Sequence, residues 1–141
     1  MSATLERPRA HVFHPVHLLL LGGALALLLG ALLGDIAYAR SYEVQWINFA
    51  AWLNVGGLVL SSAAFVCALF GLAPSRRTRA SLLHAALLFA AWIAALLAAL
   101  THARDAWDAM PVSLVLSGLA AVLLAVSIWF ACRAVRPGAF A

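Results

Sequence analysis

The sequence predicts an all-α fold: a four-helix transmembrane bundle, up-down-up-down, with both termini cytoplasmic. Three observations predict it. The 141 residues are 66% hydrophobic and only 10% charged, with a mean hydropathy of +1.02, far more apolar than a soluble domain of this size needs. Four apolar runs, at about residues 16–38, 46–72, 80–102 and 110–132, are each long enough to cross roughly 30 Å of hydrocarbon as a helix. All the basic residues are arginine, and their placement is uneven. Arg7, Arg9, Arg76, Arg77, Arg79, Arg133 and Arg136 fall on one side of such a bundle, while Arg40 and Arg104 fall on the other with Asp35, Glu43, Asp105 and Asp108. Arginine concentrates in cytoplasmic segments, so this bias places the two ends of the chain inside. The net charge of +4 therefore reads as topology and contact with lipid headgroups, and nucleic acid is not an expected partner.

Residues 1–13 form a polar N-terminal tail, residues 14–136 a single membrane domain and residues 137–141 a short C-terminal tail. Pro15 suits the first turn of the first span, where no backbone donor is lost. Pro74 in "APSRRTRAS" stops the second span, Ser81 is the expected N-cap of the third, Pro111 starts the fourth and Pro137-Gly138 closes it. Connections this short make successive helices antiparallel neighbours. A cleavable signal peptide is the competing reading of the start, because Arg7 and Arg9 precede an apolar run and Ala37-Tyr38-Ala39 resembles a cleavage site. The run exceeds the usual 7–15 residues of such segments, which favours a retained span.

Small residues let helices approach closely in lipid. Gly22, Ala26, Gly30 and Gly34 recur at every fourth position on the first span, and Ala86, Ala90, Ala94 and Ala98 on the third. Both stripes are expected to pack within the bundle, with a homodimer face as the alternative. Cys67 and Cys132 fall near cytoplasmic helix ends, where a disulfide is disfavoured, and read as packing residues. Trp46, Trp107 and Tyr42 suit the outer interface.

The residues that call for a chemical reading lie at the helix ends. Residues eighteen apart return to one helical face after five turns, about 27 Å along the axis. His17 and Asp35 have this spacing on the first span, and His84 and His102 have it on the third. If those faces meet, His17 opposes His84 on the cytoplasmic side and Asp35 opposes His102 on the outer side. Two histidines from different helices at one level are what axial ligation of a b-type haem requires, so His17 and His84 are the candidate cofactor ligands. The alternative is that they only anchor helix ends through headgroups, water or backbone.

His14 could join His17 and His84 as a three-nitrogen zinc or copper site. Pro15 turns His14 off the axis and no carboxylate or thiolate stands near, which favours the haem pair. On the outer side Asp35, His102 and Asp105 form a polar cluster with Asp108, suited to a proton or a cation, with a solvated helix end as the alternative. Arg104 and Arg40 are placed to neutralise part of it. Asn54, Ser61, Ser62, Ser117 and Ser127 are the polar residues inside the second and fourth spans. Without a charged relay at mid-membrane, a proton pump or ion transporter is disfavoured, and no nucleophile is paired with a base for hydrolysis.

"HPVH" opening the first span, Asp35 near its end, a Trp-containing second span ending in "LFGL", and "LLHAALLF" starting the third resemble the predicted four-helix membrane proteins grouped as domain of unknown function 2231. The resemblance covers most of residues 14–132. It implies a multi-pass protein of the bacterial inner membrane without an established activity. Such domains are sometimes fused to Rieske-type or sugar-dehydrogenase modules, which implies electron transfer to a redox partner or within a larger membrane complex. Two functional expectations follow. One is a subunit that binds haem b through His17 and His84; the other is a cofactor-free scaffold or assembly subunit.

Overall fold

A computed structural model describes residues 15–72 and 78–134. These form α1 (Pro15–Ser41), α2 (Val44–Gly71), α3 (Arg79–His102), a single turn α4 (Ala106–Ala109) and α5 (Val112–Ala134). Among the described residues there is no strand. The expected N-terminal tail, Pro74 and the closing Pro137-Gly138 lie outside them. Four helices, α1, α2, α3 and α5, are each long and apolar enough to cross a bilayer. The one-turn α4 was not expected; it fills the connection between α3 and α5, and Pro111 stands just before α5, its carbonyl accepting from the Val115 amide at 3.2 Å.

The long helices pack as a ring in which α1 adjoins α2 and α5, and α3 adjoins α2 and α5. Alpha-helices 1 and 3 are therefore diagonal. Each helix buries one seam in which the spacing alternates between three and four residues. On α1 the seam is His17, Leu21, Ala24, Leu28, Ala31, Asp35 and Tyr38. On α2 it runs from Ile47 through Asn54 and Ser61 to Ala68, and on α3 from His84 through Leu88 and Ala95 to Ala98. On α5 it runs from Ser113 through Ser117, Leu124 and Ser127 to Ala131. This 3.5-residue repeat keeps one narrow face on the bundle axis along the whole helix. In the most apolar window of each span no more than 39% is buried, and Leu19, Leu33, Trp52, Val59, Val115 and Val122 all point outward. Apolar faces of that extent need lipid around them.

The seam corrects the expectation about small residues. A stripe at every fourth position turns about 40° per step on a helix, so it cannot stay on one face. Gly22 and Ala26 are exposed, whereas Gly34 is buried; Ala86 is exposed, whereas Ala94 and Ala98 are buried. Gly30 is half-buried against Leu53 of α2, so each stripe turns into the core only along part of its length. There Gly34 lies directly against the α2 backbone: a Cβ on it would lie 3.0 Å from the Ala50 Cβ and 3.1 Å from the Trp46 carbonyl oxygen. Gly57 faces back toward α1, where a Cβ would come within 2.7 Å of Leu28. The cysteines are corrected too, since Cys67 and Cys132 are exposed on helix surfaces and do not pack inside.

The N-cap of α3 is Thr78, three residues before the expected Ser81. Its hydroxyl accepts from the Ser81 amide at 3.1 Å, and the Ser81 hydroxyl accepts in return from the Thr78 amide at 2.9 Å. The pair forms a capping box in which Ser81 is the third helical residue.

Candidate functional site

Polar side chains in the seams meet at two levels. At the first, the Nε2 atoms of His17 and His84 are 3.1 Å apart, with the rings edge to face at 89°. Both residues are at least 97% buried, with relative exposures of 3% and 2%. The Ser127 hydroxyl lies 2.9 Å from the His84 carbonyl oxygen and 2.8 Å from His84 Nδ1, and the Ser127 carbonyl lies 3.0 Å from the same Nδ1. Ser127 has one hydroxyl proton. If it goes to the His84 carbonyl, Nδ1–H of His84 donates to the Ser127 oxygens, His84 Nε2 carries a lone pair, and His17 Nε2–H donates to it. The opposite tautomer would set a bare Nδ1 lone pair against the Ser127 carbonyl, so the first arrangement prevails.

At the second level, His102 Nε2–H donates to Asp35 Oδ1 at 2.8 Å, and the Ser117 hydroxyl donates to Asp35 Oδ2 at 2.6 Å. Asp35 and Ser117 are fully buried, and the His102 side chain is 1% exposed. Short bonds to a carboxylate are the strong class of hydrogen bond, and a carboxylate this deep requires them. Each level therefore joins the same three helices, α1, α3 and α5. The levels are eighteen residues apart on α1 and on α3, and ten apart on α5.

Alpha-helix 2 is tied in separately. The Asn54 amide donates to the Ala95 carbonyl of α3 at 2.9 Å, and the Trp92 indole N–H donates to the Ser62 hydroxyl at 2.8 Å.

Of the residues singled out from the sequence, His17 meets His84 and Asp35 meets His102. Asp105 does not join them: it is exposed, and its backbone carbonyl accepts from the amides of Asp108 and Ala109 as α4 begins. Three residues after His102 the helix has already ended, so the facing expected of a continuous helix is lost. Arg104 is likewise turned away, pairing with Asp108 at 3.3 Å where both side chains are 67% exposed. His14 lies outside the described residues.

Ser117 and Ser127 were legible only as polar residues within a span. Their signal was the seam itself, since Ser113, Ser117, Leu124 and Ser127 follow the same three-four spacing as the apolar core.

A b-type haem does not fit between His17 and His84. Two metal–imidazole bonds of about 2 Å in line hold the nitrogens about 4 Å apart, with the macrocycle between them. Here the nitrogens are 3.1 Å apart and in direct hydrogen-bond contact. This arrangement does not support haem ligation by His17 and His84, and electron transfer gains no support from it.

A bundle of four bilayer-length helices, apolar on the outside and joined by polar side chains within, defines a membrane protein. The family model described as "Predicted membrane protein (DUF2231)" matches residues 13–136, and the chain belongs to this family. No curated protein and no solved structure matches it.

Proposed function

We propose that the chain is a non-catalytic structural subunit of the bacterial inner membrane, built to hold a fixed four-helix surface for a larger membrane complex. Its spans run up-down-up-down with both termini cytoplasmic. The observation that carries this reading is that the polar groups of the two levels are turned onto one another, tying three helices at both ends with bonds of 2.6–3.1 Å. Support for the topology comes from the same pairs. His17 and His84 stand near the starts of α1 and α3 and Asp35 and His102 toward their ends, while Ser127 and Ser117 follow in the reverse order. The arginine bias supplies the orientation.

Purified from haem-replete cells, the protein is expected to be colourless, and His17→Ala is expected to unfold at a lower temperature than wild type. A Soret band that disappears in both His17→Ala and His84→Ala would overturn the reading.

A further inference from the structure

We propose that His17 Nε2 and His84 Nε2 form a two-nitrogen site for a late first-row transition ion, with Zn²⁺ as the type. This goes beyond the structural reading and does not depend on it. In the metal-free form a single proton lies between the two nitrogens. Their separation of 3.1 Å, too short for ligands in line, suits adjacent ligands of one ion: with bonds of about 2.05 Å it corresponds to an N–metal–N angle of about 100°, near tetrahedral.

His84 is already arranged as a ligand. Its Nδ1–H is held by the Ser127 carbonyl at 3.0 Å, which fixes the ring and leaves the Nε2 lone pair facing the site, as the outer partners of metal-bound histidines do. For the ion to enter, the proton on His17 Nε2 moves to His17 Nδ1, and both imidazoles stay neutral. Imidazole suits zinc, copper and nickel among the biological ions, whereas hard cations such as Mg²⁺ and Ca²⁺ require oxygen.

Among the described residues no group of three His, Cys, Asp or Glu side chains stands together. The described residues thus supply two of the ligands, and anions such as chloride or a small thiolate at further positions offset the charge of the ion. The site lies close to the helix starts, with His17 the third residue of α1 and His84 the sixth of α3. Occupancy would lock α1 to α3 at this level by coordination in place of a hydrogen bond.

The test uses the full chain with its exposed thiols removed, Cys67→Ser/Cys132→Ser, purified in detergent, stripped with chelator and equilibrated with Zn²⁺. After gel filtration, metal analysis is expected to find one zinc per chain and thermal unfolding to shift upward. His17→Ala and His84→Ala in that background should each lose about tenfold or more of the bound zinc. Failure of the thiol-free parent to retain zinc overturns the proposal, and so does undiminished binding in both histidine variants. The parent measurement holds even if a histidine variant fails to fold. Zinc uptake in a colourless protein supports the site, whereas a haem spectrum would defeat the structural reading separately.

Discussion

Within the second polar level, Ser117 and Ser113 make a paired test of what buried hydroxyls do. Both are fully buried on α5 and one turn apart. Ser117 donates to a buried carboxylate at 2.6 Å, whereas among the described residues the Ser113 hydroxyl meets only the Met110 sulfur, at 3.5 Å. Hydrogen bonds between membrane helices contribute about 0.6 kcal/mol on average and up to roughly 1.7 in strong cases. Ser117→Ala should therefore cost about 1–2 kcal/mol in reversible unfolding from detergent, and Ser113→Ala about 0.5 kcal/mol or less. Equal losses would show that the bond to Asp35 contributes nothing special. Asp35→Ala is expected to cost more than Ser117→Ala, about 3 kcal/mol, because His102 then keeps a buried Nε2–H without its acceptor.

The helices themselves are set by the three-four seam, and the glycines test it. A valine at Gly34 must push against the α2 backbone at Trp46 and Ala50. Overpacking of that kind costs about 1–3 kcal/mol. A Cβ at Gly22 meets nothing within 4 Å, and the position is exposed. Gly34→Val should therefore lower the unfolding temperature while Gly22→Val leaves it nearly unchanged, although both belong to one every-fourth stripe. At the start of α3, Thr78→Ala removes half of the capping box and should cost about 1 kcal/mol by the same measurement.

Much of this was legible in the sequence. Helix number and length follow from the apolar runs, and the eighteen-residue spacing brought His17 to His84 and Asp35 to His102. Eighteen residues serve equally well as five turns of a straight helix or as alternating steps of four and three. For that reason the end pairs emerge whichever period is assumed. The every-fourth stripes do depend on the period, and they drift off the seam. Asp105 was misplaced because the end of α3 at His102 is set by a local turn that periodicity does not reveal. The gap between the histidines could not be read at all, because spacing fixes direction and level, and packing alone fixes whether two rings touch or leave room for a cofactor.

At the scale of the whole molecule, the two polar levels lie about 27 Å apart along α1, close to the thickness of the hydrocarbon core. Along α1 and α3 the polar residues stand toward the two ends with Leu and Ala filling the seam between them, whereas on α5 Ser117 and Ser127 are only ten residues, about 15 Å, apart; Asn54 and Ser62 link α2 to α3. The proposed orientation has a direct consequence. In the Cys67→Ser/Cys132→Ser protein, Ser41→Cys should react with a membrane-impermeant thiol reagent in intact cells whose outer membrane has been permeabilised. Ser75→Cys, in the connection between α2 and α3, should react only after the inner membrane is opened. The reverse pattern would invert the bundle.

In the metal-free protein His17 and His84 are hydrogen-bonded directly, nitrogen to nitrogen. Nitrogen NMR of the isotope-labelled histidines reads this contact without mutation. A scalar coupling across the hydrogen bond is expected between His17 Nε2 and His84 Nε2, with the proton of His84 on Nδ1. Two uncoupled imidazoles, each exchanging its proton independently with water, would contradict it.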